Sequence, residues 1–181
     1  MANILIINSS ARNKNNTRIL AAAAAEAAEK NGHAVTTIDV GRADIKPCVG
    51  CEGCHQGSGG PCVIDDAMTA FYPEVTRAEV IVFSAPIYYF SINAQAKAFL
   101  DRCYSLGVEA FRGKRVGAIF AYGDEDPVKS GCINAIRMFQ DICAYASAQW
   151  LGAVYGTAWE EGEAGDNAEL LEKARAFGAA L

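Results

Sequence analysis

At 181 residues, 51% hydrophobic and 20% charged, the chain has the balance of an ordinary globular protein, long enough to bury a sizeable core. Its formal net charge of −5 argues against a nucleic acid or an anionic membrane as partner. No apolar run approaches the roughly 20 residues of a membrane span, and the run Ile4 to Ile7 is short and lacks the basic start of a secretory signal, so a reducing cytoplasm is the expected compartment.

Asn3 to Asn8 is a short apolar run, as expected of a strand buried on both faces of a parallel sheet. After Ser9 to Thr17, an Ala-rich helix is predicted from Arg18 to Asn31, with Gly32 as its stop. Ala34 to Val40 alternates as a second strand. A Gly- and Cys-rich loop over 41–64 follows, and Asp65 and Asp66 are then expected to cap a helix that runs to Arg77. Val80 to Ala85 reads as a buried strand ended by Pro86, and Asn93 to Leu106 as a helix. Arg115 to Tyr122 is a further strand, followed by a helix near Val128 to Tyr145, a strand near Trp150 to Thr157 and a helix from Asp166 to Leu181. Strands alternating with helices imply a parallel sheet with right-handed crossovers. The expectation is one α/β domain over 1–181, a flavodoxin-like three-layer α/β/α sandwich with a five-stranded parallel sheet.

In such a sheet, ligands bind beyond the carboxyl ends of the strands. The first loop there, Ser9 to Thr17, has no glycine, so it is neither a Walker loop nor a dinucleotide fingerprint. It is dense in hydroxyls and amides, carries Arg12 and Lys14, and precedes a helix N-terminus, which is the equipment for a phosphate monoester. The same residues also serve as ordinary turn and cap residues. The second loop, Ser84 to Ser91, holds Tyr88, Tyr89 and Phe90 in a row, suited to walling a flat conjugated ligand, plugging the sheet end or meeting another subunit. The third holds Tyr122 and Gly123, where glycine permits close backbone approach to a ligand. Flavin mononucleotide, a phosphate attached to a flat ring system, fits the combination.

The first loop resembles the Gly-Ser-Pro-Arg…Asn-Thr phosphate loop of NAD(P)H-dependent FMN reductases, with Ser10, Arg12, Asn16 and Thr17 at the matching positions. Pro86 and Tyr88, followed by Lys97, Phe99, Asp101 and Arg102, resemble that family's Pro-x-Tyr…Lys-x-Phe-x-Asp-Arg signature. The resemblance implies FMN with its phosphate on Ser10, Arg12, Asn15, Asn16 and Thr17. The ring would then lie against Pro86, Ile87, Tyr88, Tyr89, Phe90, Tyr122 and Gly123. It further implies NAD(P)H as a transient reductant and a homodimer or homotetramer. Ser9 and Ala11 depart from the usual Gly and Pro, and Asn15 stands where Gly is common.

Cys48, Cys51, Cys54 and Cys62 form a C-x2-C-x2-C-x7-C run in a segment with little apolar surface to offset its ordering entropy. With the following Asp65 and Asp66 it is similar to the iron-sulfur flavoprotein subgroup, which implies a [4Fe-4S] cluster on these four residues. A disulfide, free redox-active thiols and zinc remain as alternatives. His55 reads as a surface residue or a hydrogen-bond donor to a cluster or flavin; Cys103, Cys132 and Cys143 read as buried fillers. The function expected is an FMN-dependent oxidoreductase moving electrons from NAD(P)H or a reduced ferredoxin-like carrier to an unidentified acceptor. The alternatives are a non-enzymatic electron carrier and a cysteine-based redox sensor. Hydride transfer to a flavin needs no side-chain acid or base, so no catalytic residue is assigned.

Overall fold

A computed structural model of the chain describes residues 1–56 and 62–181. Residues 57–61, in the gap between Cys54 and Cys62, lie outside the described residues. The strands are β1 (Asn3–Asn8), β2 (Ala34–Asp39), β3 (Val80–Tyr88), β4 (Ser91–Ile92), β5 (Arg115–Tyr122) and β6 (Gln149–Thr157). The helices are α1 (Asn16–Lys30), α2 (Met68–Arg77), α3 (Ala94–Arg102), α4 (Cys132–Ala146) and α5 (Ala168–Ala179). The sheet order is β2-β1-β3-β5-β6, all parallel, with β4 attached antiparallel to β3. That is the doubly wound order of the flavodoxin-like fold, as expected.

Alternate residues of each buried strand feed opposite faces. Ile4, Ile6, Val80, Val82 and Ile119 pack with Leu20 and Ala24 of α1 and Leu170 and Ala174 of α5. Leu5, Ile7, Ile81, Phe83 and Phe120 pack with Met68 and Tyr72 of α2, Phe99 of α3 and Phe139 of α4. The alanines of α1 let α5 approach closely: a Cβ at Gly178 would overlap the backbone of Ala24.

Several element boundaries differ from expectation, each for a local reason. β3 continues through Pro86, which pairs with Ala121 of β5; pairing to β1 already stops at Ser84, so the missing N–H removes no bond on that side. The strand then turns back as a hairpin whose tip, Tyr89 and Phe90, takes left-handed φ values of 45° and 66°. The third helix ends at Arg102 and continues as a 3-10 segment, Cys103–Ala110, interrupted by non-helical Gly107. α4 starts at Cys132 because Gly131 is left-handed, and α5 starts after its cap Asn167, whose side chain accepts from Leu170 N. α2 begins at Met68 rather than at the Asp65-Asp66 pair. Asp66 still accepts the Met68 N–H at 3.0 Å, but its principal partner is Arg102.

Candidate active site

The loop from Ser9 to Asn15 is rooted in buried polar contacts at the carboxyl ends of β1 and β3. The Ser9 N–H donates to the Ser84 carbonyl at 3.0 Å, and its hydroxyl donates to Asn93 Oδ1 at 2.7 Å. Asn93 returns a bond from Nδ2 to the Ser9 carbonyl at 2.7 Å, and the Ser84 hydroxyl donates to the Thr17 carbonyl at 3.0 Å. Ser9 therefore uses its side chain to lock the loop.

Asn15 caps α1: its Oδ1 accepts from Arg18 N at 2.6 Å and its Nδ2 donates to the Arg12 carbonyl at 3.1 Å. The first-turn N–H groups of Asn16 and Thr17 have no intrahelical acceptor, and the first turn has no acidic residue. Ser10 and Thr17 bring hydroxyls to the same cleft, with the exposed Arg12 on its lining; Lys14 is exposed outside that lining. Asn16 behaves differently from the expectation of a side-chain ligand. Its Nδ2 donates to the carbonyls of Ala158 (3.1 Å) and Glu160 (2.8 Å), and its Oδ1 accepts from Ala164 N at 3.0 Å. That amide is committed to the segment after β6, so only its backbone N–H is available.

Ser10, Arg12, Asn15, Asn16 and Thr17 line one cleft of about 470 Å³ together with Pro86, Ile87, Tyr88, Tyr122 and Gly123. All three predicted loops thus meet. Tyr89 and Phe90 do not line this cleft; they border an adjoining recess of about 300 Å³ with Lys129 and Ser130. Trp159 lines both spaces. It lies against Gly123, where a Cβ would overlap the indole, so the close approach that this glycine permits is to Trp159. Burial raises the Tyr122 hydroxyl above its ordinary pKa, with Cys132, Tyr155 and Asp126 adding to it, so this tyrosine stays protonated at neutral pH.

The cysteine segment leaves β2 beside this cleft. All seven cysteines are free; Cys48 and Cys51 are exposed, and Cys54 and Cys62 half-buried. Partial burial raises the Cys54 thiol, its own N–H opposes this, and the nearby Cys62, Glu52 and Cys51 push it up further. Among the described residues no three His, Cys, Asp or Glu side chains converge closely enough for a metal ion. Cys62 and Cys51 both lie near enough to Cys54 to add to the rise of its thiol. His55 Nε2 bonds to the Tyr104 carbonyl at 2.8 Å and the Tyr104 hydroxyl to Glu52 at 2.9 Å, which pins the middle of the segment to the 3-10 stretch.

The sequence profile of the NADPH-dependent FMN reductase family matches residues 2–158. The chain belongs to this family. As an FMN reductase family member it is an oxidoreductase by class. An iron-sulfur flavoprotein of Archaeoglobus fulgidus is 29% identical over 180 residues, covering 97% of this chain and 76% of the relative. Shorter alignments to other iron-sulfur flavoproteins cover from 47% to 61% of those relatives. Among solved structures, RosB with a bound 8-demethyl-8-formylriboflavin-5′-phosphate superposes with a TM-score of 0.79 at 18% identity, over 99% of this chain and 77% of that one. An NAD(P)H:quinone oxidoreductase from Methanothermobacter marburgensis gives 0.75 at 16% identity, over 98% of each chain. These likenesses confirm the flavodoxin-like fold.

Sequence reasoning missed Ala121, Ala158, Trp159, Glu160 and Glu161 as cleft residues and Asn93 as the anchor of the loop. The available signal was a tryptophan in a short polar stretch just past a strand's carboxyl end. Asn93 and Ser9, 84 residues apart, carry no mutual signature. No helix among the described residues is long and apolar enough to cross a membrane.

Proposed function

We propose that this chain is a single flavin-binding domain that holds FMN in the cleft and passes electrons from NAD(P)H, or from a reduced ferredoxin-like carrier, to an acceptor. One observation carries the reading: unpaired helix-end N–H groups and a wall of proline and aromatic side chains meet in a single cleft. The N–H groups of Asn16 and Thr17, the hydroxyls of Ser10 and Thr17 and the Arg12 guanidinium hold the phosphate, while Asn15 keeps the turn open. Pro86, Ile87, Tyr88, Tyr122, Gly123 and Trp159 supply the apolar surface for the ring and exclude water from it. Tyr89 and Phe90 serve the neighbouring recess, where the second substrate docks. When bound, FMN supplies hydride acceptance and electron release.

Cys48, Cys51, Cys54 and Cys62 would hold a [4Fe-4S] cluster, whose contribution is one-electron transfer. The compact C-x2-C-x2-C run, the nearness of Cys51 and Cys62 to Cys54, and the naming of the relatives as iron-sulfur flavoproteins support this. Seven free cysteines accord with a reducing cytoplasm. The exposed Tyr89, Phe90, Ile133 and Tyr145 support a homodimer or homotetramer, a matter for light scattering.

The test is steady-state oxidation of NADH and NADPH by FMN-loaded protein with an artificial electron acceptor. A saturable rate is expected. Stoichiometric flavin without any such rate would leave an electron carrier and overturn the reductase. Iron and sulfide analysis after anaerobic preparation and reconstitution decides the cluster independently, and absence of both removes it.

A further inference from the structure

Arg102 is the largest fully buried side chain, 1% exposed, and its guanidinium makes four bonds that converge on the cysteine segment. Nη1 donates to Asp66 Oδ2 at 2.7 Å and to the Lys46 carbonyl at 2.9 Å. Nη2 donates to Asp66 Oδ1 at 3.1 Å and to the Ile64 carbonyl at 3.0 Å. Asp66 Oδ2 in turn accepts the Lys46 N–H at 2.9 Å. Lys46 stands two residues before Cys48 and Ile64 two residues after Cys62. One planar fork therefore closes the base of the segment that carries all four thiols.

The segment is also fastened to the phosphate loop. Gly41 is pressed onto Ser10, whose carbonyl a Cβ would overlap. The Arg42 guanidinium donates from Nε and Nη2 to the Ala11 carbonyl, both at 3.1 Å, and also reaches Asn13. Arg102 is the last residue of α3, and Asn93, the cap at the other end of that nine-residue helix, is the residue bonded to Ser9. Both the chain and a rigid helix thus connect the thiols to the loop that faces the cleft.

We propose that Arg102, acting through Asp66, is a positioning residue that fixes the cysteine segment against the phosphate loop, so that the four thiols are held at a set place relative to the cleft. The bidentate fork is essential, because a lysine ammonium delivers charge but not two parallel bonds plus two carbonyl contacts. The FMN arm of the test rests on the flavin reading; the thiol arm does not.

The experiment is timed alkylation with iodoacetamide, mapped cysteine by cysteine by mass spectrometry, on wild-type protein, Arg102→Lys and Asp66→Asn, with FMN affinity measured on each. Both variants should speed labelling of Cys54 and Cys62 by about tenfold, while Cys103, Cys132 and Cys143 stay protected. FMN affinity should fall severalfold in both, with Arg102→Lys the milder because it keeps the charge. Unchanged labelling of Cys54 and Cys62 in a folded variant overturns the proposal. So does acceleration at all seven cysteines alike, which would make Arg102 a support of the whole core. Selective labelling with unaltered FMN affinity would likewise refute the link to the phosphate loop. A wild-type chain that takes up no FMN fails the flavin reading alone, and the labelling pattern then decides the role of Arg102 by itself.

Discussion

The Asp66–Arg102 pair makes the stability of the fold sensitive to acid. Burial pushes the Asp66 carboxyl up, but the Arg102 guanidinium and the N–H groups of Lys46 and Met68 outweigh it and hold the carboxyl below its ordinary range. A depressed folded-state value contributes stability above the unfolded pKa of about 3.9 and loses it as pH falls through the folded value. Denaturant unfolding between pH 7 and pH 2.5 should therefore show a stability loss below about pH 4 that Asp66→Asn largely abolishes. The same slope in both proteins would contradict the assignment. Removing one partner of such a buried pair should also cost about 3–5 kcal/mol at neutral pH. Asn16→Ala tests a different bond set: it orphans two carbonyls and one N–H and should cost about 2–3 kcal/mol in the same assay, with backbone phosphate donors left in place. Burial raises the thiols of Cys103 and Cys132 to about 12 and that of Cys143 to about 11, which makes them inert fillers at neutral pH.

At the scale of elements, the hairpin tip is the strained part. A two-residue turn with positive φ at both positions is the geometry that Asn-Gly adopts readily, and here it holds two aromatics. The turn is held by α4: Asn134 Nδ2 donates to the Phe90 carbonyl at 3.1 Å, and Gly131 leaves room for the Phe90 backbone, which any Cβ there would strike. Tyr89, 98% exposed, gains little from burial that would offset the strain. Tyr89→Asn should thus raise stability by about 0.5–1 kcal/mol in thermal unfolding while weakening occupancy of the recess beside the cleft. A loss of stability would mean that Tyr89 packs against something else. None of this was legible in the chain, because Tyr-Phe carries no turn signal and Pro86 read as a stop. The strands themselves were legible, since runs such as Ile4 to Ile7 and Val80 to Phe83 are apolar on both faces. The role proposed for Arg102 was not legible: it stood as one position of a family signature inside a helix read as running to Leu106, and its partners Lys46, Ile64 and Asp66 lie 56, 38 and 36 residues away.

Across the whole molecule, the doubly wound sheet brings three sequence-distant loops to one rim, and that convergence is what the order of strands and helices foretold. Position in the fold pointed to the three loops, and the family resemblance to Ser10, Arg12, Asn15, Thr17, Pro86, Tyr88, Tyr122 and Gly123 within them, all of which line the cleft. It was not enough to tell which of them keep their polar atoms free, because that depends on partners such as Ala158 and Ala164 from the far end of the chain. In the proposed reading this rim binds FMN by its phosphate. Titration of flavin-free protein by fluorescence, with FMN and with riboflavin in parallel, tests it most directly. Saturation at one FMN per chain is expected, with riboflavin weaker by about 100-fold or more and a Thr17→Val variant that narrows the difference. Equal affinity for the two flavins, or no saturable binding of FMN, would contradict it.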